Sequence, residues 1–311
     1  MSAAAPSEPS SWPASSSGPA PSSGPAQPSG PAPPVLAAGV ELAPGYEVIE
    51  HVRRGSDLDC YEVWSAERFC RCFAKTPRPD RADHASTVRH LRREARLLRT
   101  LTHPHLVRGY DWLTPDGAPP VLVTENLTGA TLSWLLDTHG RLAAGDLAQL
   151  GLHLCSALRY LHGQGVLHLD VKPSNIVAVD GVARLIDLSL ARRPGRCTPG
   201  YGTVGYLSPE QLVGARVTEA ADVWGLGLVL YEAATGVRTY RIPSADSHAS
   251  LASYSTMGRY EAVLVRPVKR LRAARRLPVP VADTIDACLS LQPRDRPTLA
   301  ALSDALNTLT G

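Results

Sequence analysis

His168-Leu169-Asp170-Val171-Lys172-Pro173-Ser174-Asn175 is the stretch on which the reading of this chain turns. Between Asp170 and Asn175 it sets a carboxylate, an ammonium and an amide side by side. It follows a segment in which Leu147, Leu150, Leu154, Leu158 and Leu161 recur at helical spacing and which ends at the glycines of His162-Gly163-Gln164-Gly165. Seventeen residues beyond Asp170, Asp187 closes the apolar run Ala183-Arg184-Leu185-Ile186. The grouping suits phosphoryl transfer. An aspartate can orient a hydroxyl and take its proton, and a lysine can neutralise a moving phosphate. An asparagine and a second aspartate offer hard oxygens to magnesium. A polar loop between short strands is common, so Asp170 alone decides little; the full set carries the weight.

Upstream, residues 46–52, 60–66 and 70–76 alternate, carry β-branched or aromatic side chains and read as strands. A helix is expected over about 86–101, because Val88, Leu91, Ala95, Leu98 and Leu101 form one apolar stripe. Residues 106–113 and 120–125 read as two further strands. Lys75 ends the third strand, and Glu94 lies on the apolar stripe of the helix. A buried glutamate needs a cation to offset its desolvation. Lys75 is the natural partner, with Arg92, Arg93 and Arg96 as local alternatives. After Leu127 the pattern turns helical, apart from short strands near 166–168, 175–178 and 183–187. A β-rich part followed by an α-rich part predicts an α+β protein of two lobes with a cleft between them.

Residues 1–44 differ from the rest. Met1 to Pro34 holds ten prolines and ten serines, with Glu8 as the only charged side chain, too little apolar surface to offset chain entropy. A disordered tail is expected there, then a small lobe over 45–124 and a hinge with the large lobe over 125–311. The net charge of +3 gives no footprint for nucleic acid. No apolar run is long enough for a membrane span, and no signal peptide is visible. The six cysteines are scattered and read as thiols of a reducing cytoplasm. Of 32 basic residues only Lys75, Lys172 and Lys269 are lysine. Where arginine is the default cation, a retained lysine points to a need for a compact ammonium.

With these residues assembled, the chain resembles the eukaryotic-type serine/threonine protein kinases of bacteria. His168 to Asn175 matches their catalytic loop, and Asp187-Leu188-Ser189 stands at the magnesium-loop position. Gly202-Thr203-Val204-Gly205-Tyr206-Leu207-Ser208-Pro209-Glu210 is similar to the end of the activation segment. Asp222-Val223-Trp224-Gly225 is similar to the start of the central large-lobe helix, and Arg294-Asp295-Arg296-Pro297 to the late arginine motif. The resemblance spans about Tyr46 to Gly311 and implies the bilobal kinase fold. It implies ATP and Mg2+ as cofactors and a protein serine or threonine as acceptor. By it, Asp170 is the base, Lys172 steadies the phosphate, Lys75 paired with Glu94 holds the α- and β-phosphates, and Asn175 and Asp187 hold the metal. Ala74 and Val177 would sandwich the adenine, helped by Val52 and Val63, with the backbone of Glu125 and Leu127 on the base edge behind Thr124. Lys172 with Thr203 favours serine/threonine over tyrosine. Glu210 and Arg296 would pair in the large lobe, Asp222 would brace the catalytic loop, and His168 would be structural.

Three departures stand out. Where the family carries three glycines before a valine, this chain runs from Arg53 to Val63 with Gly55 alone, two or three residues too long. Asp57 and Asp59 bring negative charge toward the phosphates unless they point away or meet a cation. This motivates the alternative of a pseudokinase that binds without transferring phosphate. Leu169 replaces the arginine that commonly grips a phosphorylated loop, leaving Thr198 as a weaker candidate for modification. Leu188-Ser189 replaces Phe-Gly. The basic run 266–276 reads as a solvated or loop-paired face, and 236–262 matches no motif.

Overall fold

Six antiparallel strands build the first half of the molecule: β1 (Glu41–Ala43), β2 (Tyr46–Arg54), β3 (Leu58–Ser65), β4 (Cys70–Pro77), β5 (Gly109–Leu113) and β6 (Val121–Glu125), in the order β1-β2-β3-β4-β6-β5. The computed structural model describes residues 33–240 and 268–309. Residues 1–32 of the expected tail, and the part of the unassigned region over 241–262, lie outside them. So do positions 266 and 267 of the basic run. Order begins earlier than Tyr46, because β1 pairs with β2 and buries Ala43 against it.

Strand alternation gives this sheet two different faces. Tyr61, Val63, Cys72, Ala74, Val121 and Val123 form a separate apolar cluster on one face. The other face carries Leu122, which packs into the main core with Leu91, Ala95 and Leu98 of helix α1 (Ala85–Leu98). Lys75 pairs in register with Cys60 and with Leu122, so it shares their face. The α1 stripe was expected and forms; Glu94 on it is 1% exposed.

The second half is mainly helical. A short sheet, β7 (Ala130–Thr131), β8 (Ile176–Val179) and β9 (Val182–Leu185), leads into helices α2 (Leu132–His139) and α3 (Ala144–Gly163). Gly129 permits the hinge to cross β8, since a Cβ there would lie 1.8 Å from the Ala178 carbonyl oxygen. The short pair β10 (Gly195–Arg196) and β11 (Arg216–Val217) flanks α4 (Pro209–Leu212). Helix α5 (Glu219–Thr235) is buried continuously from Ala221 to Ala234, as an apolar helix at the centre of a lobe must be. Around it stand α6 (Leu271–Ala274), α7 (Val279–Cys288) and α8 (Leu299–Asn307). Residues 166–168 were expected as a strand and form only an isolated bridge, Leu167 to Arg192. The main core is continuous from α1 through α3 and α5 to α8, so it ties both halves to the cleft between them.

Candidate active site

The β2–β3 hairpin, the end of β4, α1, the hinge after β6 and the loops around β8 and β9 enclose a cleft of about 270 Å³. Lys75, Glu94, Asn175 and Asp187, far apart in sequence, all line it. Lys75 Nζ lies 2.8 Å from Glu94 Oε1 and 3.8 Å from Asp187 Oδ1. Burial alone would lower the Lys75 ammonium, but Asp187 and Glu94 together raise it above its ordinary value. Burial likewise opposes charge on Asp187, yet Lys75, the hydrogen bonds of Ser189 and the field of Lys172 hold that carboxyl well below the usual range. Burial pushes the Glu94 carboxyl up against the pull of Lys75. The lysine is thus a fixed cation shared by two carboxylates, not a proton donor.

Asp170 stands in a loop held by Asp222, the first-turn residue of α5. Asp222 Oδ2 accepts the His168 N–H at 2.9 Å and Oδ1 accepts the Leu169 N–H at 2.7 Å, while His162 Nε2 lies 2.8 Å from Oδ2. Burial works against the Asp222 charge, but His162, His168 and the Leu169 amide hold its carboxyl below the ordinary range. The bracing has a use. Leu169 has φ +63° and Asp187 +69°, a left-handed conformation that costs a non-glycine residue about 1–3 kcal/mol. His168 is fully buried and satisfied, accepting the Asp170 N–H at Nδ1 and donating from Nε2 to the Ile186 carbonyl. It is structural, and it ties the catalytic loop to the residue between β9 and Asp187.

Around Asp170 the polar atoms are placed with little slack. Lys172 Nζ donates to Asp170 Oδ2 and to Thr203 Oγ1, both at 2.6 Å. Asn175 Nδ2 donates to the Asp170 carbonyl and to Oδ2, both at 3.0 Å, which leaves the amide oxygen free as an acceptor. Asp170 Oδ1 is buried and has no hydrogen-bond partner among the described residues. A buried carboxylate oxygen without a partner is costly unless a ligand hydroxyl completes it. Among the described residues no three acidic, histidine or cysteine side chains gather as a metal cage. Magnesium held by one carboxylate, one amide and a nucleotide's phosphates needs no such cage, so Asp187 and Asn175 fit it. In the large lobe Arg296 makes a bidentate pair with Glu210 at 2.7 and 2.8 Å, both side chains buried.

Most of the expected lining residues reach the cleft: Val52, Glu125, Leu127 and Val177, with Thr124 behind them. Among the described residues the Leu127 N–H has no hydrogen-bond partner, as a donor reserved for a ligand edge would be. Two do not arrive. Val63 and Ala74 are fully buried in the apolar cluster on the far face of the sheet. Side chains alternate along a strand, so the neighbours of Lys75 on the cleft face are Phe73 two residues before it and Cys60 opposite it. Counting back two from Lys75 would have found Phe73; Cys60 follows only from the pairing of β3 with β4.

The same correction removes the excess hairpin length. Counted to Cys60 instead of Val63, Gly55 takes the place of the middle glycine, at the hairpin tip, where its N–H donates to the Leu58 carbonyl at 2.7 Å. Gly55 does not itself line the cleft. Asp59 points away from it, is 1% exposed, and meets Arg54 through two hydrogen bonds of 2.8 and 2.9 Å and His51 at 3.2 Å. Arg78, beyond β4, pairs with Asp80 and donates to the carbonyls of Gly55 and Ser56 at 3.2 and 3.3 Å. Sequence reasoning missed this clasp on the hairpin tip.

Comparison with known proteins now decides the family. The model of the protein kinase domain matches residues 46–307. The chain belongs to the protein kinase family. Curated kinases similar to it include serine/threonine-protein kinase PknB of Mycolicibacterium smegmatis, 36% identical over 173 residues, which are 52% of this chain and 28% of that protein. PknB of Mycobacterium tuberculosis is 34% identical over 189 residues, 57% of this chain and 30% of that kinase. Serine/threonine-protein kinase PknK of the same species is 31% identical over 224 residues, 70% and 19% of the two chains. The match thus spans less than a third of each of these kinases. As a kinase-family chain it has the expected bilobal α+β fold. No helix among its described residues is long and apolar enough to cross a membrane.

Proposed function

We propose that this chain is an ATP-dependent serine/threonine protein kinase of the cytoplasm. The observation that carries the reading is the orphaned Asp170 Oδ1, buried beside Lys172 and bonded through Oδ2 to Asn175, which itself lines the cleft with Lys75 and Asp187; Asp170 and Lys172 lie outside that lining. Asp170 would accept the proton of a protein hydroxyl as it attacks. Lys172, held between Asp170 and Thr203, would neutralise the phosphoryl group in flight. Lys75, fixed by Glu94, would hold the nucleotide's α- and β-phosphates, and the Leu127 N–H would meet the base. Asp187 and Asn175 would hold magnesium, which when bound neutralises charge on the phosphates. Catalysis would then come from positioning and electrostatics, with no covalent intermediate. The six cysteines are all free thiols, which suits a reducing compartment. The binding-only alternative rested on the hairpin, and two of its motives weaken: the length is ordinary once counted to Cys60, and Asp59 is turned away and paired, while the missing glycines and Asp57 stay as they were.

The test is incubation of the full chain with γ-labelled ATP, magnesium and casein. Label on serine or threonine that disappears in Asp170→Asn supports the proposal. Nucleotide binding without any transfer overturns it.

A further inference from the structure

Leu169 stands where related sequences commonly carry an arginine that receives a loop phosphate, and it is not a gap in the structure. It is 4% exposed and belongs to an apolar cluster with Cys197, Val217 and Ala221, with Tyr201 packed against it. The Tyr201 hydroxyl accepts a hydrogen bond from Arg93 Nη1 at 2.9 Å and donates to the Leu190 carbonyl at 3.1 Å. Its own carbonyl accepts from Gln211 Nε2 at 2.7 Å, and the same amide donates to the Leu169 carbonyl at 2.9 Å. The Arg192 guanidinium stands 5.8 Å from the centre of the Tyr201 ring. Arg93 precedes Glu94 on α1, and Leu190 follows Asp187 by three residues.

We propose that Tyr201 is a positioning residue: an unmodified hydroxyl strut that ties α1 to the segment after Asp187, so that Glu94 and Asp187 keep their places without loop phosphorylation. A hydroxyl serves because it is donor and acceptor at once. It takes a bond from the helix that carries Glu94 and gives one to the backbone beyond Asp187. The apolar cluster at Leu169 anchors the ring end, and Gln211 anchors the backbone end. A phosphate on this segment would find leucine, not a cation, at position 169, whereas the strut needs no added charge. Thr198, exposed three residues earlier, is then dispensable.

The inference rests on the phosphotransfer reading for its activity arm only. In the full chain, Tyr201→Phe keeps the ring and removes both hydrogen bonds. It lowers kcat about tenfold, the order expected for one hydrogen bond to a charged group, with KM for ATP and the melting temperature nearly unchanged. Arg93→Met removes one of those two bonds and lowers kcat in the same direction, and the double variant is no slower than Tyr201→Phe alone, because the hydroxyl that Arg93 would bond is already gone. Phosphatase treatment and Thr198→Ala leave kcat unchanged. Multiplicative single effects, an unaltered kcat in Tyr201→Phe, or loss of activity in Thr198→Ala overturns the strut. Hydrogen exchange needs no turnover. Faster exchange over residues 188–201 and 90–96 in Tyr201→Phe supports the strut even if the wild-type chain transfers no phosphate, and unaltered exchange there rejects it.

Discussion

The catalytic loop and the β2–β3 hairpin border the same cleft and keep to family pattern in opposite degrees. Around Asp170 nearly every polar atom is held by a side chain of the expected type, Lys172, Asn175, His168 and Asp222. The hairpin keeps one glycine, and its shape is held by Arg54–Asp59 on one side and the Arg78 clasp on the other. The difference fits the roles proposed for the two regions. A proton acceptor and a metal ligand need particular atoms at particular places. Covering phosphates is a task for backbone, and any set of contacts that fixes the backbone can serve it.

Substitutions should separate the two regions in order of effect. Asp187→Asn, nearly isosteric, should lower kcat by about 10³-fold or more while the melting temperature hardly moves, because it removes charge stabilisation and not packing. Retained activity would break the contrast at its strong end. Glu210→Ala leaves Arg296 buried without its partner and should cost about 3–5 kcal/mol of stability in urea unfolding, with Glu210→Gln milder. The two sides of the small-lobe sheet give the next test. Ala74→Val overfills the far cluster and should cost about 1–3 kcal/mol without altering ATP affinity. Phe73→Ala should change ATP affinity, read by calorimetry, because that ring lines the cleft. The reverse pattern would restore the face assigned by sequence.

Smaller effects are expected at the hairpin. Arg78→Ala should raise KM for ATP severalfold, roughly 1 kcal/mol of lost hydrogen bonding, with kcat little changed. An unchanged KM would mean the tip needs no clasp. The smallest effect belongs to the histidines near the lobe junction. His103 and His153 are pushed below the ordinary histidine range by burial and then by His105, whose ring stacks on His153 at 4.1 Å. The unfolded chain therefore binds protons more readily. Stability should be full well above the ordinary histidine pKa of about 6.5 and fall as pH drops through it. His153→Gln should flatten that fall in a melting-temperature series between about pH 7.5 and 5.5.

Much of the candidate site was legible because it is written in residue types that chemistry restricts. Lys75 and Lys172 stand out in a chain whose cations are otherwise almost all arginine, and Glu94 on an apolar stripe demanded a cation that the fold supplies 2.8 Å away. The adenine-facing residues were less legible. Val63 and Ala74 have the right chemistry for a cleft wall; alternation from Lys75 turns Ala74 away, and only the pairing of Cys60 with Lys75 reveals that Val63 lies on the wrong face.

Sequence alone determined the order of the lobes, the catalytic loop, the need of Glu94 for a cation and the family. Each follows from local periodicity or from a side chain with few alternative uses. Tertiary structure alone decided which residue of β3 stands opposite Lys75, which cation partners Glu94, how Asp59 is neutralised, what clasps the hairpin and how Tyr201 meets Arg93 across 108 positions. Those depend on strand register and on long-range approach. A one-residue shift in register reverses every side chain on a strand, and composition and spacing do not report it.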